Sequence, residues 1–565
     1  MTNEQPVSMK LHGALAKALF DNGVGIMFGL IGDGNLFVVQ SYVDDHGGTF
    51  VSSANEAGAT VMAIGYSVVS GEVGVVTVTH GPGVANTLSG LIEGVRAQVP
   101  MLLVCGDTAA ADKHSLQNVS QRDLIVATGA GFEQVRAPQT VFEDMRTAFR
   151  RAQAERRPIA LNVPADFMWQ DVDYEEVDTR QFDNRAVIPE SQDLDDAIGI
   201  LAAAKMPVIL AGRGAIDARH RESLIKLADR TDALLATTLK AKGLFRGHGF
   251  DLGVFGTLST PVATDLIMQS DCIVAFGASL NQYTTASGSL LKGKRVVQCN
   301  LKREDIGKFA QPAVGVVGDP ALTADLFVRW LDEAEIPGSR FRSQEILEQL
   351  QDYSFVRGLD DKATATTVDL TKSLLRLNEA VPENRIYVTD VGRYVLQAWK
   401  VFDVPDPRSL VYTVHFGSIG LGMPYAIGAS FAAPNRPALL VTGDGGFMLG
   451  GLSEFNTAVR HKVDLIVVVC NDGSYGAEHV QFRNRNLSPD ISCFDWPEFG
   501  PLADALGGQG FSVRNEDDLK GACAAIKKRT RPLLIDLKLD PDHVPSMRRA
   551  CSIRLRTSGR RPLRR

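Results

Sequence analysis

The sequence predicts an α/β protein of three domains, each a parallel sheet covered by helices. Three observations predict it. Short apolar runs recur along the chain, each ending in a glycine-rich or Asx-rich turn and followed by helical periodicity. The length of 565 residues fits roughly three or four domains at ~150 residues each. The composition, 45% hydrophobic and 22% charged, supplies enough apolar mass for several cores and excludes collagen-like, low-complexity and wholly disordered chains.

The elements follow in order. Leu11, Leu15, Ala18 and Leu19 keep helical spacing, and Asn22-Gly23 stops that helix. Strands are expected at Val24 to Phe28, Val75 to Thr79, Met101 to Cys105 and Ile159 to Val163. The acidic, aperiodic stretch Asp171 to Asp183 reads as a linker. A second unit opens near Ile188, with strands at Pro207 to Leu210, Cys272 to Phe276 and Arg295 to Cys299, a helix over Arg221 to Asp229, and a fade after Val317. Charged helical sequence from Pro337 to Asp361 leads to a third unit with strands at Ile386 to Thr389, Ala438 to Thr442, Leu465 to Cys470 and Leu533 to Leu537. The expected domains are 1–175, 188–335 and 365–545, with a basic tail over 546–565.

No apolar run approaches the ~20 residues of a membrane helix, and Met1 to Lys10 lacks a basic-then-apolar leader pattern. Seven scattered cysteines form neither a disulfide framework nor a zinc spacing, so a cytoplasmic setting is expected. Eight arginines and no acid lie between Arg548 and Arg565, so the net charge of −7 leaves the body at −15. An acidic body speaks against a nucleic-acid partner. The tail itself reads as a solvated, disordered extension.

The sharpest chemical signal lies in the third unit. Gly443-Asp444-Gly445-Gly446 follows the strand Ala438 to Thr442, a helix is expected from about Leu449 to Arg460, and the next strand ends at Asn471-Asp472-Gly473-Ser474. Asp444 and the Asn471-Asp472 pair therefore stand at the carboxyl ends of two strands joined by one crossover, the edge where parallel sheets bind ligands. Glycines there let backbone N–H groups approach a diphosphate. A carboxylate from Asp444, a side-chain oxygen from Asn471 or Asp472, and a carbonyl two residues on make an all-oxygen set suited to Mg²⁺.

These residues resemble the thiamine-diphosphate motif: Gly443-Asp444-Gly445, 25 intervening residues, then a pair that is usually Asn-Asn and is Asn471-Asp472 here. The resemblance implies thiamine diphosphate and Mg²⁺ as cofactors. It points to Asp472 and the Ser474 carbonyl as metal ligands beside Asp444, with Asn471 as the alternative. Ser52-Ser53-Ala54-Asn55-Glu56-Ala57-Gly58-Ala59 resembles the family segment whose glutamate activates the cofactor, which assigns that role to Glu56; by itself Glu56 reads as a first-turn glutamate. Thr79-His80-Gly81-Pro82-Gly83-Val84-Ala85-Asn86 is similar to the family's neighbouring segment. In Phe416-Gly417-Ser418-Ile419-Gly420, Ile419 falls where a large apolar residue bends the coenzyme, and the Gly417 carbonyl where its amino group is held. Over about residues 8 to 540 the chain resembles the acetohydroxyacid synthase, benzoylformate decarboxylase and pyruvate decarboxylase superfamily. That implies a pyrimidine-binding, a middle and a diphosphate-binding domain. It also implies a homodimer or homotetramer with active sites between subunits.

The resemblance implies decarboxylation of a 2-oxo acid, followed by protonation to an aldehyde or by ligation to a second carbonyl. An acetolactate-synthase-like activity is the first expectation and simple decarboxylation the alternative; a noncatalytic relative would lack Glu56 or Asp444. Leu116-Gln117 matches the synthases' Phe-Gln. Their acceptor arginine is Ser279 here, their tryptophan after the metal loop is Gln481, and their flavin segment is Phe255-Gly256-Thr257-Leu258-Ser259, which disfavours FAD. Gly32-Asp33-Gly34-Asn35-Leu36 resembles pyruvate decarboxylase, where the aspartate handles protons; its paired histidines become Lys113-His114 here, so only the second is kept. Asp33, His114, Gln117 and Glu478, with His479 beside it, are the residues expected to decide the outcome.

Overall fold

The computed structural model describes residues 7–109, 111–112, 114–179, 187–357 and 359–544. Lys113 and the arginine-rich stretch 546–565 lie outside them. Three six-stranded parallel sheets organise the chain. The first runs, edge to edge, Thr49–Ser52, Ile26–Gly29, Gly74–Val78, Met101–Asp107, Pro158–Pro164 and Gly131–Gln134. The third runs Leu410–Tyr412, Ile386–Thr389, Ala438–Gly443, Leu465–Asn471, Leu533–Lys538 and Gln509–Val513. Numbered within each sheet, both orders are 2-1-3-4-6-5, so the first and third domains share one topology. The second sheet has the doubly wound order 3-2-1-4-5-6, beginning with Pro207–Ala211 as its first strand.

The first and third sheets belong to one compact unit and the second to another. The first and third sheets meet through two helices, Glu56–Ser70 and Gly422–Ala432. Glycines make that approach possible. A Cβ on Gly65 would stand 2.4 Å from the Tyr425 carbonyl oxygen, and one on Gly428 would stand 1.9 Å from that of Met62. The contact is reciprocal down to the sequence. Ala63-Ile64-Gly65-Tyr66-Ser67 is echoed by Ala426-Ile427-Gly428-Ala429-Ser430, and each glycine meets the residue three before the other. Met62, Ile64, Tyr425 and Ile427 are buried in one shared core.

Three sequence expectations change. The linker expected from Asp171 begins as a strand, Asp171–Asp173, paired antiparallel with Ser8–Lys10, because Val172 enters the first domain's core. The fade read after Val317 is instead a packed helix inside the expected 188–335 bounds: Pro320–Glu333 buries Ala324, Phe327, Val328 and Leu331 in that unit's core. The helix expected from Leu449 opens with a π-helical turn, Phe447–Gly451, before Leu452–Arg460. The wider turn accompanies a backbone approach in which a Cβ on Gly450 would lie 2.4 Å from the Gly420 carbonyl oxygen. Among the described residues no helix is long and apolar enough to cross a membrane.

Candidate active site

The parallel register of Ala438–Gly443 and Leu465–Asn471 sets Gly443 beside Cys470, so the two following loops leave the same sheet edge. Asp444 and Asp472 are buried there. Ser474 joins them: its N–H donates to Asp444 Oδ2 at 3.1 Å, and its hydroxyl donates to Asp472 Oδ1 at 2.6 Å. Asp444 also accepts the Gly445 N–H at 2.9 Å and the Trp496 indole N–H at 3.0 Å. Burial, reinforced by the Asp472 carboxylate, pushes the Asp444 carboxyl up to about 7. Two buried carboxylates are thus held close together through Ser474, an arrangement that suits a divalent cation.

Asn471 is turned the other way. Its amide donates to Asp536 Oδ1 at 2.8 Å and its oxygen accepts the Gly473 N–H at 3.2 Å. Asp536 is fully buried, and burial raises its carboxyl above the usual range. The alternation of a strand end explains the split: adjacent residues face opposite sides.

Asp472 has a second buried partner, Arg393, whose Nε and Nη2 both donate to Oδ2, at 2.9 and 2.6 Å. The Arg393 Nη1 is buried with no partner among the described residues. Gly476 admits this side chain, since a Cβ there would come within 2.4 Å of Arg393 Nε.

The loop expected to underlie the cofactor follows the edge strand Leu410–Tyr412. Gly417 and Gly420 have φ of +84° and +87°, left-handed values that favour glycine. Asp390, fully buried with its carboxyl raised by desolvation, accepts the Gly420 N–H at 2.9 Å and the Thr413 hydroxyl at 3.1 Å. Gly417 is exposed and Ile419 half-buried, so Ile419 is not committed to the core.

In the first domain Glu56 opens the helix Glu56–Ser70, capped by Asn55, whose side chain accepts the Ala57 N–H. Glu56 is buried, and its Oε2 accepts the Asn86 amide at 2.9 Å. Asn86 lies on the helix Pro82–Ala97, so the structure joins Glu56 to the segment after His80. Gln117 packs on the same turn, where a Cβ on Gly81 would stand 2.4 Å from the Gln117 carbonyl oxygen. Asp33 and His114 are exposed, as is Glu478 on the helix Gly476–Asn484. Among the described residues no hydrogen bond or ion pair joins Glu478 to Asp33, His114 or Gln117. His479 does not face outward with Glu478: it is buried, with Nε2 3.0 Å from Asp542 Oδ1.

Several residues escaped the sequence reading. Gln121 pins the Gly81 N–H at 2.7 Å while donating to Asn162. His80 is buried beside Gly34, its Nδ1 without a partner among the described residues. Two buried carboxylates, Glu93 and Glu454, each cross from one domain to a loop of the other. Only an odd polar residue within an apolar helix face could have marked them.

Among the described residues no group of three or more His, Cys, Asp or Glu side chains gathers as a metal cluster. The donor set of Asp444, Asp472 and a carbonyl at Ser474 nevertheless suits Mg²⁺ if phosphate and water complete it. The orphaned Arg393 Nη1 and the glycines at 443, 445 and 446 suit an anionic group beside it.

The chain matches three domain families in order: the thiamine pyrophosphate enzyme N-terminal TPP-binding domain over residues 9–127, the central domain over 194–327 and the C-terminal TPP-binding domain over 390–537. It is 27% identical to a sulfoacetaldehyde acetyltransferase of Alcaligenes xylosoxydans over 90% of this chain and 88% of that one. It is 26% identical to a probable acetolactate synthase large subunit of Methanocaldococcus jannaschii, covering 94% and 92%. The acetolactate synthase isozyme 2 large subunit of Escherichia coli is 26% identical, covering 93% and 94%. Since all three domains occur in order and the relatives align nearly end to end, this protein belongs to the thiamine pyrophosphate enzyme family and is a thiamine-pyrophosphate-dependent enzyme.

Proposed function

We propose that this enzyme uses thiamine diphosphate and Mg²⁺ to decarboxylate a small or medium 2-oxo acid and to ligate the remaining fragment to a second carbonyl, as an acetolactate synthase does. The observation that carries the reading is the buried Asp444–Ser474–Asp472 arrangement at the carboxyl ends of adjacent strands, with Glu56 buried at a helix start in the first domain.

In this reading Asp444, Asp472 and the Ser474 carbonyl hold Mg²⁺, and the backbone around Gly443, Gly445 and Gly446 holds the diphosphate. The bound cofactor supplies the electron sink for loss of carbon dioxide. Glu56 would hydrogen-bond the pyrimidine of the bound cofactor and favour its reactive tautomer, the Gly417 carbonyl would accept the amino group, and Ile419 would pack against the coenzyme. Asn86 keeps the Glu56 carboxylate oriented. With Glu56 committed to the pyrimidine, proton delivery falls to Asp33, His114 or Glu478, with Gln117 to orient substrate. Asp33, His114 and Glu478 are exposed and unjoined to one another among the described residues, which fits a homodimer or homotetramer with sites completed between subunits.

A second reading, decarboxylation without ligation, is favoured by Ser279 and Gln481 standing where the synthases have their acceptor clamp. The Thr257-Leu258-Ser259 segment supports an enzyme without FAD. The relatives' names also include sulfoacetaldehyde acetyltransferase, so that substrate belongs in the panel. The deciding experiment gives the purified enzyme pyruvate, other 2-oxo acids and sulfoacetaldehyde, and measures acetaldehyde against acetolactate for wild type and Glu478→Gln. Acetolactate as the main product supports the synthase reading; acetaldehyde alone replaces it with the decarboxylase. No turnover of any 2-oxo acid removes both.

A further inference from the structure

Asp472 stands where the family resemblance expects a neutral amide, and the structure shows what accompanies that change. Two buried carboxylates, Asp444 and Asp472, are joined through Ser474, so two like charges repel across it. A neutral amide at 472 would carry no such repulsion. Arg393 answers it. Its guanidinium lies almost wholly buried, with a side-chain exposure of 5% against 7% for Asp472, and it binds the single oxygen Oδ2 through two N–H groups. The other oxygen, Oδ1, is the one turned to Ser474 and so to Asp444.

We propose that Arg393 is a charge-balancing positioning residue that lets an aspartate serve as the metal ligand at 472. The guanidinium neutralises one carboxylate and fixes which of its oxygens faces the cation, so the ligand pair carries about the net charge of an aspartate with an asparagine. The inference rests on the cofactor reading above. Three features of this chain must coincide for it to work: an aspartate at 472, an arginine at 393, and a residue without a side chain at 476, where a Cβ would meet Arg393 at 2.4 Å.

A charge-balancing role has a signature that a merely structural one lacks. If only Asp472 is made neutral, Arg393 is left as an uncompensated cation beside the metal. If both are made neutral, the charge returns to its original sum. The test is a titration of Mg²⁺ into each protein with thiamine diphosphate in excess, followed by calorimetry and by the shift in Tm. Asp472→Asn should weaken Mg²⁺ binding by about tenfold or more, and the double variant Arg393→Gln/Asp472→Asn should recover to within about threefold of wild type. Arg393→Lys/Asp472→Asn keeps the cation and should stay weak. Arg393→Gln alone should lower the Tm of the metal-free protein more than that of the metal-loaded one. A double variant as weak as Asp472→Asn overturns the proposal, and so does an Asp472→Asn protein that binds Mg²⁺ as wild type does. Wild type that takes up neither Mg²⁺ nor thiamine diphosphate removes the cofactor reading, and the proposal falls with it.

Discussion

Glu93 and Glu454 are counterparts across two domains of the same topology. Each sits on the helix after the third strand of its own sheet, and each reaches the loop after the second strand of the other sheet. Glu93 accepts the Phe416 N–H at 2.7 Å and meets His415 Nδ1 at 2.6 Å. Glu454 accepts the Ala54 N–H at 3.2 Å. The loops they pin are those that carry Gly417 and Ile419 on one side and Glu56 on the other. Each half of the proposed site is therefore held in place by the domain that does not contain it.

Replacing Glu93 by alanine removes two interactions at a fully buried position and leaves His415 and the Phe416 N–H without their carboxylate. Leaving a buried donor without its acceptor costs about 1–3 kcal/mol. Urea unfolding should show that loss, and thiamine diphosphate affinity should fall with it. Unchanged unfolding in Glu93→Ala would mean that the loop is held by other contacts.

Glu454 gives a pH signature. Burial raises its carboxyl above the ordinary value, so the fold binds this proton more tightly than the unfolded chain does. The stability attached to it is fully present below the unfolded value and is lost as pH rises through the raised folded value. The Tm of wild type minus that of Glu454→Gln should therefore decline across that window and then level off. A difference that grows with pH would reverse the assigned shift.

Glu56→Gln keeps a hydrogen-bonding group beside Asn86 but loses the carboxylate charge. The cofactor should remain bound while turnover drops by about 10²–10⁴. Thiamine diphosphate titration alongside steady-state rates separates the two effects. Wild-type turnover in this variant would falsify the activating role.

The glycine crossing is equally exposed to test. Gly65→Ala and Gly428→Ala each drive a methyl into a carbonyl of the opposite helix, at 2.4 and 1.9 Å before any shift. Each should cost roughly 1–3 kcal/mol or more of stability. The double variant should cost less than the sum, since one separation of the helices relieves both clashes. Additive losses in denaturant unfolding would show that the two ends of the crossing yield independently.

Much of this architecture is legible in the sequence, for identifiable reasons. Strands buried on both faces, such as Cys272–Phe276 and Ile386–Thr389, are unbroken apolar runs and coincide with their expected bounds. Edge strands such as Gly131–Gln134 and Gln509–Val513 mix polar and apolar residues and went unread. The metal loop was legible because its chemistry depends on local spacing at two strand ends. Arg393, Glu93, Glu454 and Asp390 were not, because these partners lie 23 to 400 residues away and no local pattern announces a tertiary contact. The echo of Ala63-Ile64-Gly65 in Ala426-Ile427-Gly428 was a readable signal, too short to register as a repeat.

The reciprocal helix contact has a consequence for how the chain is made. Gly65 and its partner Tyr425 are separated by 360 residues, and the whole second domain is synthesised between them. At ~5–20 residues per second, roughly 20–70 s pass between translation of the first helix and arrival of the second. Throughout that interval the nascent first domain lacks the surface that covers its glycine-lined face. An apolar helix face left waiting on the ribosome is a target for chaperones and a seed for misassociation. Slow or stalled translation through the second domain should therefore lower the yield of folded enzyme without any change in its sequence.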